Sequence, residues 1–166
     1  MKKLVLVLAI VFAGAMSANA QVWIGGGLGA NVDKGVTSFN IAPEIGYAIN
    51  NQWQLALGAN YEFDRYQGVT VDNSLCLQPY IRYVGGTIGH KFSLFVDLTG
   101  DIGLLDAAKT YAVMLQPGIA WQATDDFTAA FRFAKVGYNH GIYPGGNGFL
   151  LQGALVAPEI RIYYNL

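Results

Sequence analysis

Seven charged residues lie in settings that could organise ionic chemistry: Glu44, Glu62, Arg82, Asp97, Arg132, Glu159 and Arg161. Each stands in a stretch where polar and apolar residues alternate, with an apolar or aromatic residue on either side. A two-residue period belongs to a strand whose faces meet different environments, so all seven point to the polar face. If that face is enclosed, a lone ion on it is very costly, and the charges must pair. The planar fork of Arg suits carboxylates. The expected arrangement is a lumen polar network, with Arg82, Arg132 and Arg161 against Glu44, Asp97 and Glu159. In a narrow barrel such a network reads as a plug, and its alternative use is a selectivity constriction.

Other constellations carry less. His140, Asp72 and Ser74 supply the residue types of a nucleophile, base and acid, but such residues are common in loops. No catalytic residue is assigned, and no enzyme is expected. Gly25-Gly26-Gly27-Leu28-Gly29-Ala30 is faintly similar to a dinucleotide-binding loop. No helical pattern follows it, and close strand packing accounts better for the glycines. His90, His140 and Cys76 are scattered without metal-ligand spacing, so no metal or other cofactor is expected. Asp33, Asp64, Asp72, Asp101 and Asp106 are expected in mildly acidic loops, where solvation is their default and divalent cations are an alternative.

Four stretches announce the elements that position these charges. They are Ile41-Ala42-Pro43-Glu44-Ile45-Gly46-Tyr47, Leu77-Gln78-Pro79-Tyr80-Ile81-Arg82-Tyr83, Leu115-Gln116-Pro117-Gly118-Ile119-Ala120-Trp121 and Val156-Ala157-Pro158-Glu159-Ile160-Arg161-Ile162. Their prolines lie 36, 38 and 41 residues apart. A hairpin of two roughly ten-residue strands with its turn and onward loop fits that repeat. Four hairpins give eight strands, expected over residues 22–31, 39–49, 53–63, 74–84, 90–100, 110–121, 127–138 and 149–166. Short turns fall at 50–52, 85–87 and 124–126. Longer loops fall at 31–38, 64–73, 101–109 (with a helical turn around 104–108) and 139–148. Proline lacks a ladder donor, so local bulges are expected near Pro43, Pro79, Pro117 and Pro158.

The fold class is therefore all-β, an eight-stranded antiparallel up-and-down barrel. A soluble carrier barrel alternates too, and the polar face discriminates. It is mostly Gly, Ala, Gln, Asn, Ser and Thr with few charges, which suits a crowded lumen better than a watered surface. Charged residues are 13% of the chain against ~25% in ordinary globular domains, which fits an apolar face turned to lipid. Tyr47, Trp53, Tyr83, Phe92, Trp121, Phe127 and Tyr164 flank the short turns or the C-terminus, as an aromatic girdle at one membrane interface should. Phe39, Tyr61, Phe63, Tyr111, Phe133 and Phe149 are expected toward the opposite ends.

Residues 1–20 read as a cleavable signal peptide. Lys2 and Lys3 precede an apolar core, and Ala18-Asn19-Ala20 forms a small-x-small cleavage site. The remaining domain, residues 21–166, holds 8 basic and 11 acidic residues, which leaves no footprint for nucleic acid. Cys76 is alone, so no internal disulfide staples the fold.

Signal, alternating strands, glycine-rich first strand, Pro-x-Ile repeats and the terminal Ile160-Arg161-Ile162-Tyr163-Tyr164-Asn165-Leu166 together resemble the small outer-membrane β-barrel family. Its members are the OmpX- and OmpA-like barrels of the "porin family". The resemblance covers residues 21–166 and implies a monomeric transmembrane barrel in the Gram-negative cell envelope. The implied partners are outer-membrane lipid, lipopolysaccharide and, through the last strand, the barrel-assembly machinery. The implied role is structural or surface-interactive: envelope integrity, adhesion, or binding through extracellular loops. Its alternatives are a narrow porin-like channel for small solutes and a lipid A-modifying enzyme.

Overall fold

The computed structural model describes residues 21–33, 36–66, 69–105, 110–142, 147–153 and 159–166. The expected signal peptide, Asp106, Pro158 and most of the expected helical turn lie outside the described residues. The described chain forms β1 (Val22–Asp33), β2 (Val36–Ala48), β3 (Trp53–Tyr66), β4 (Val69–Ile88), β5 (Phe92–Gly103), β6 (Tyr111–Gln122), β7 (Phe127–Arg132), β8 (Ala134–His140), β9 (Gly148–Gly153) and β10 (Glu159–Asn165). Every neighbouring pair is antiparallel.

Ten segments make eight wall strands. β7 and β8 both pair with β6 and are one strand broken at Phe133. β9 pairs with β8 and β10 with β7, so these two are parts of the last strand. β10 then pairs with β1, from Trp23↔Asn165 to Gly27↔Arg161, and closes the sheet. The protein is an eight-stranded antiparallel closed β-barrel. Closure removes the unpaired edges of an open sheet.

The alternation sorts residues between the two faces. On β5, Phe92, Leu94, Val96 and Leu98 are exposed, while Phe95, Asp97, Thr99 and Asp101 are buried. Ile81 is 40% exposed and Leu115 49%, against 4% for Arg82 and 0% for Asp97. Ordinary domains bury aliphatics and expose ions. Here the sorting is inverted.

The strands outrun the boundaries read from pattern. Asn31↔Ser38, Val32↔Thr37 and Asp33↔Val36 are ladder pairs, so most of the expected first loop is a continued β1–β2 ribbon. β3 and β4 continue likewise to Tyr66↔Val69. Of the expected loop acids, Asp33, Asp64, Asp72 and Asp101 therefore lie in strands. Gly85 and Gly86 do not open a turn either. β4 passes through a register shift between Val84 and Gly86, and the chain turns at 89–91, where Gly89 takes φ +64°. That is left-handed backbone which glycine adopts without steric cost.

The prolines behave more simply than expected. The β2–β3 ladder lapses at Ala42 and Pro43 between Ile41↔Tyr61 and Glu44↔Gly58, yet the register on both sides is the same. The β4–β5 ladder lapses at Gln78 and Pro79 in the same way. A strand residue offers its N–H to one neighbour only, so proline removes one rung and leaves the other ladder intact. Pro43 and Pro79 thus need no bulge. Pro117 does face one, on the adjoining strand: pairing moves from Gly118↔Arg132 to Leu115↔Val136, one residue extra around Phe133. Phe133 consequently lies mid-wall, away from the outer ends where it was expected.

Lumenal glycines make room for rings. A Cβ on Gly118 would stand 2.3 Å from the Phe95 ring and 2.7 Å from the Phe131 carbonyl oxygen. Backbone cannot yield as a side-chain tip can. Gly118→Ala is expected to lower stability by about 1–3 kcal/mol through overpacking, read as a lower urea midpoint of the refolded protein.

Candidate functional site

Inside the wall, strands from opposite sides meet through charged side chains. Asp97 on β5 accepts from Arg82 Nε (2.7 Å) and Nη2 (2.9 Å) on β4. It also accepts from Arg132 Nε (2.8 Å) and Nη2 (2.6 Å) on β7. Arg132 Nη1 donates onward to Glu159 at 3.0 Å, and Glu159 also pairs with Arg161 and, at 3.5 Å, with Lys135. Arg161 completes the chain with an ion pair to Glu44. Arg82 donates across the barrel to the Tyr163 hydroxyl at 3.0 Å, and Arg161 to Gln78 at 3.2 Å. β4 and β10 are separated by β1, β2 and β3, so these bonds cross the axis.

Three rings surround the Arg82 guanidinium: Phe95 at 4.0 Å, Tyr163 at 5.1 Å and Tyr80 at 5.5 Å. Desolvated cation–π contacts of this kind are worth about 2 kcal/mol. Tyr80 also donates to Glu44 at 3.0 Å. Each of these groups sits on the lumenal face because its strand puts every second residue there.

The structure brings Glu44, Arg82, Asp97, Arg132, Glu159 and Arg161 into this one cluster. Glu62 stands apart in level. It is half-buried on β3 opposite Asn40 and Ser74, four residues beyond Gly58, which faces Glu44. The pattern does not single out Lys135, Gln78, Tyr80 or Tyr163, and it puts Asp101 in a loop. Asp101 is 1% exposed and accepts from Gln78 Nε2 at 2.9 Å. Its parity with Asp97 and Thr99 was the signal that could have found it. Tyr80 and Tyr163 were obscured because a tyrosine counts as apolar in a binary pattern, while its hydroxyl serves a polar lumen.

The aromatic residues near the short turns ring the outside of one rim. Trp53 and Tyr83 lie 4.9 Å apart, Phe127 and Tyr164 5.1 Å, and Phe92 pairs with Trp121 in register. Tyr47 is half-buried beside Leu55. At the other end Phe39 stacks on Phe63 at 5.4 Å, with Tyr61 6.0 Å from Phe63.

The His140–Ser74 pairing is not assembled. His140 packs on the exposed Tyr111 ring at 5.0 Å, on the outer face. Ser74 shares the lumenal parity of Cys76 and Gln78, so the wall separates the two. Among the described residues no group of His, Cys, Asp and Glu is placed to hold a metal ion. No protein-family model and no curated protein matches this chain.

Proposed function

We propose that this chain is an outer-membrane barrel whose wall meets lipid and whose axis is plugged by the arginine–carboxylate network. The inverted burial carries the reading. A wall whose exposed side chains are Ile, Leu, Val and rings has no stable contact with water, but matches hydrocarbon. The height agrees. From Trp53 to Phe63 the chain advances ten residues at ~3.3 Å each, and a ~40° strand tilt reduces that to about 25 Å, the thickness of the apolar band of such barrels. No helix of the described residues is long and apolar enough to cross a membrane, so the strands would carry the span.

The role that follows is structural or surface-interactive. The barrel would contribute to envelope integrity, or present the β1–β2 and β3–β4 ribbons and the two remaining outer connections for adhesion or binding among lipopolysaccharide. Residues 1–20 would direct export, and β10 would engage the assembly machinery. On a denaturing gel the detergent-folded, unboiled protein is expected to migrate apart from the boiled form, since closed barrels resist detergent. Identical mobility, with folding in plain buffer, would instead favour a soluble barrel.

A narrow channel is the second reading, supported by the polarity of the lumen. Axis-crossing bonds from Arg82 and Arg161 leave little space for hydrated ions. Planar-bilayer recordings of purified protein are expected to show no stable conductance. Discrete, reproducible openings would replace the plug with a pore.

A further inference from the structure

Below the ion-pair network, toward the short turns, the lumen opens into a vestibule of about 200 Å³. Arg82 forms its floor, and Trp23, Gln54, Ser93, Thr128 and Tyr163 stand around it. We propose that this vestibule binds a small short-chain carboxylate.

Two of the lining residues carry buried donors. Trp23 is 4% exposed, and its Nε1–H has no hydrogen-bond partner among the described residues. Indole N–H only donates, and an unsatisfied buried donor is destabilising, so an acceptor belongs beside it. Arg82 is also 4% exposed and can only donate. Its carboxylate partner Asp97 is shared with Arg132, so the positive charge at the floor is incompletely balanced by that contact. Among the described residues no acidic side chain lines the vestibule. Gln54, Ser93 and Thr128 can each donate to a carboxylate oxygen.

The remaining wall argues for a carboxylate with a hydrocarbon tail over an inorganic oxyanion. Val84, Phe95 and Ala120 add apolar surface beside its polar groups. Its volume falls below the ~300–1,000 Å³ of sites for drug-sized ligands, which limits the occupant to a few carbons. Acetate to butyrate fits this description, and phosphate or chloride would leave the apolar surface uncovered.

The chain has three tryptophans, and only Trp23 points into the lumen. Nitrogen-15-labelled barrel folded in detergent micelles should therefore give one lumenal indole signal, assigned by its loss in Trp23→Phe. Titration with sodium butyrate at fixed pH and ionic strength is expected to move that signal saturably, leaving those of Trp53 and Trp121 in place. Sodium chloride and sodium phosphate should not saturate it. Ala120→Leu fills the space at its apolar surface without touching the ion pairs, and should abolish the butyrate shift. Ser93→Val, which removes a donor and adds bulk on the neighbouring strand, should also abolish the shift and serves if Ala120→Leu fails to fold. A flat butyrate titration would overturn the proposal, as would an equal response to chloride or an undiminished shift in a folded filled variant. The measurement needs only a folded barrel, so its failure leaves the membrane reading intact.

Discussion

Asp97→Asn is expected to destabilise the barrel by about 3–5 kcal/mol, the loss typical when one partner of a buried ion pair is removed. Asp97 is fully buried and accepts four hydrogen bonds from two guanidinium groups. The amide would remove the charge that compensates Arg82 and Arg132 together. It would also aim N–H donors at groups that can only donate. Both arginines are held in place by rings: Arg82 among Phe95, Tyr80 and Tyr163, and Arg132 5.0 Å from the Tyr80 ring. With a urea dependence of about 2 kcal/mol per molar, the unfolding midpoint should fall by about 2 M. Asp125→Asn, on an exposed short turn, should stay within about 0.5 kcal/mol of the parent. If the two variants unfold together, the network does not hold the barrel closed.

This network also shows how far the sequence could be read. Period-two alternation placed Arg82, Asp97, Arg132 and Arg161 on one face without any structure, because each is flanked by residues that must face the other way. Alternation says nothing about where a strand ends. Asp101 therefore reads as a loop residue, although β5 carries it two residues past Thr99 into the lumen. The ribbons at Asn31↔Ser38 and Tyr66↔Val69 were missed for a related reason. Polar residues beyond an apolar band read as loop, yet backbone pairing persists where side chains no longer report which face is which. Trp23 and Tyr163, whose rings lie 4.7 Å apart inside the barrel, were hidden by their apolar character. Glycines at 25, 46 and 118 leave the space that such rings occupy. The glycine-rich first strand was legible as close packing, but which rings it admits depends on strands far away in sequence.

Leu98→Arg separates the membrane reading from a soluble one more sharply than any change in the lumen. Leu98 is 46% exposed, pairs with Ile81 on one side and Leu115 on the other, and lies well inside the girdle residue Phe92. All three side chains face outward from the middle of the wall. If that wall meets hydrocarbon, arginine near the bilayer midplane should cost about 2–4 kcal/mol. If it meets water, an exposed strand position should tolerate arginine within about 0.5 kcal/mol. Equilibrium unfolding from lipid bilayers is expected to show the larger loss. The same substitution at Asp125, on an exposed turn beyond the girdle, should be nearly silent. The two positions differ in depth and share exposure, so unequal costs measure the solvent and not the side chain. A neutral Leu98→Arg in a protein that folds without detergent would leave the apolar wall facing water, and the membrane assignment would fail.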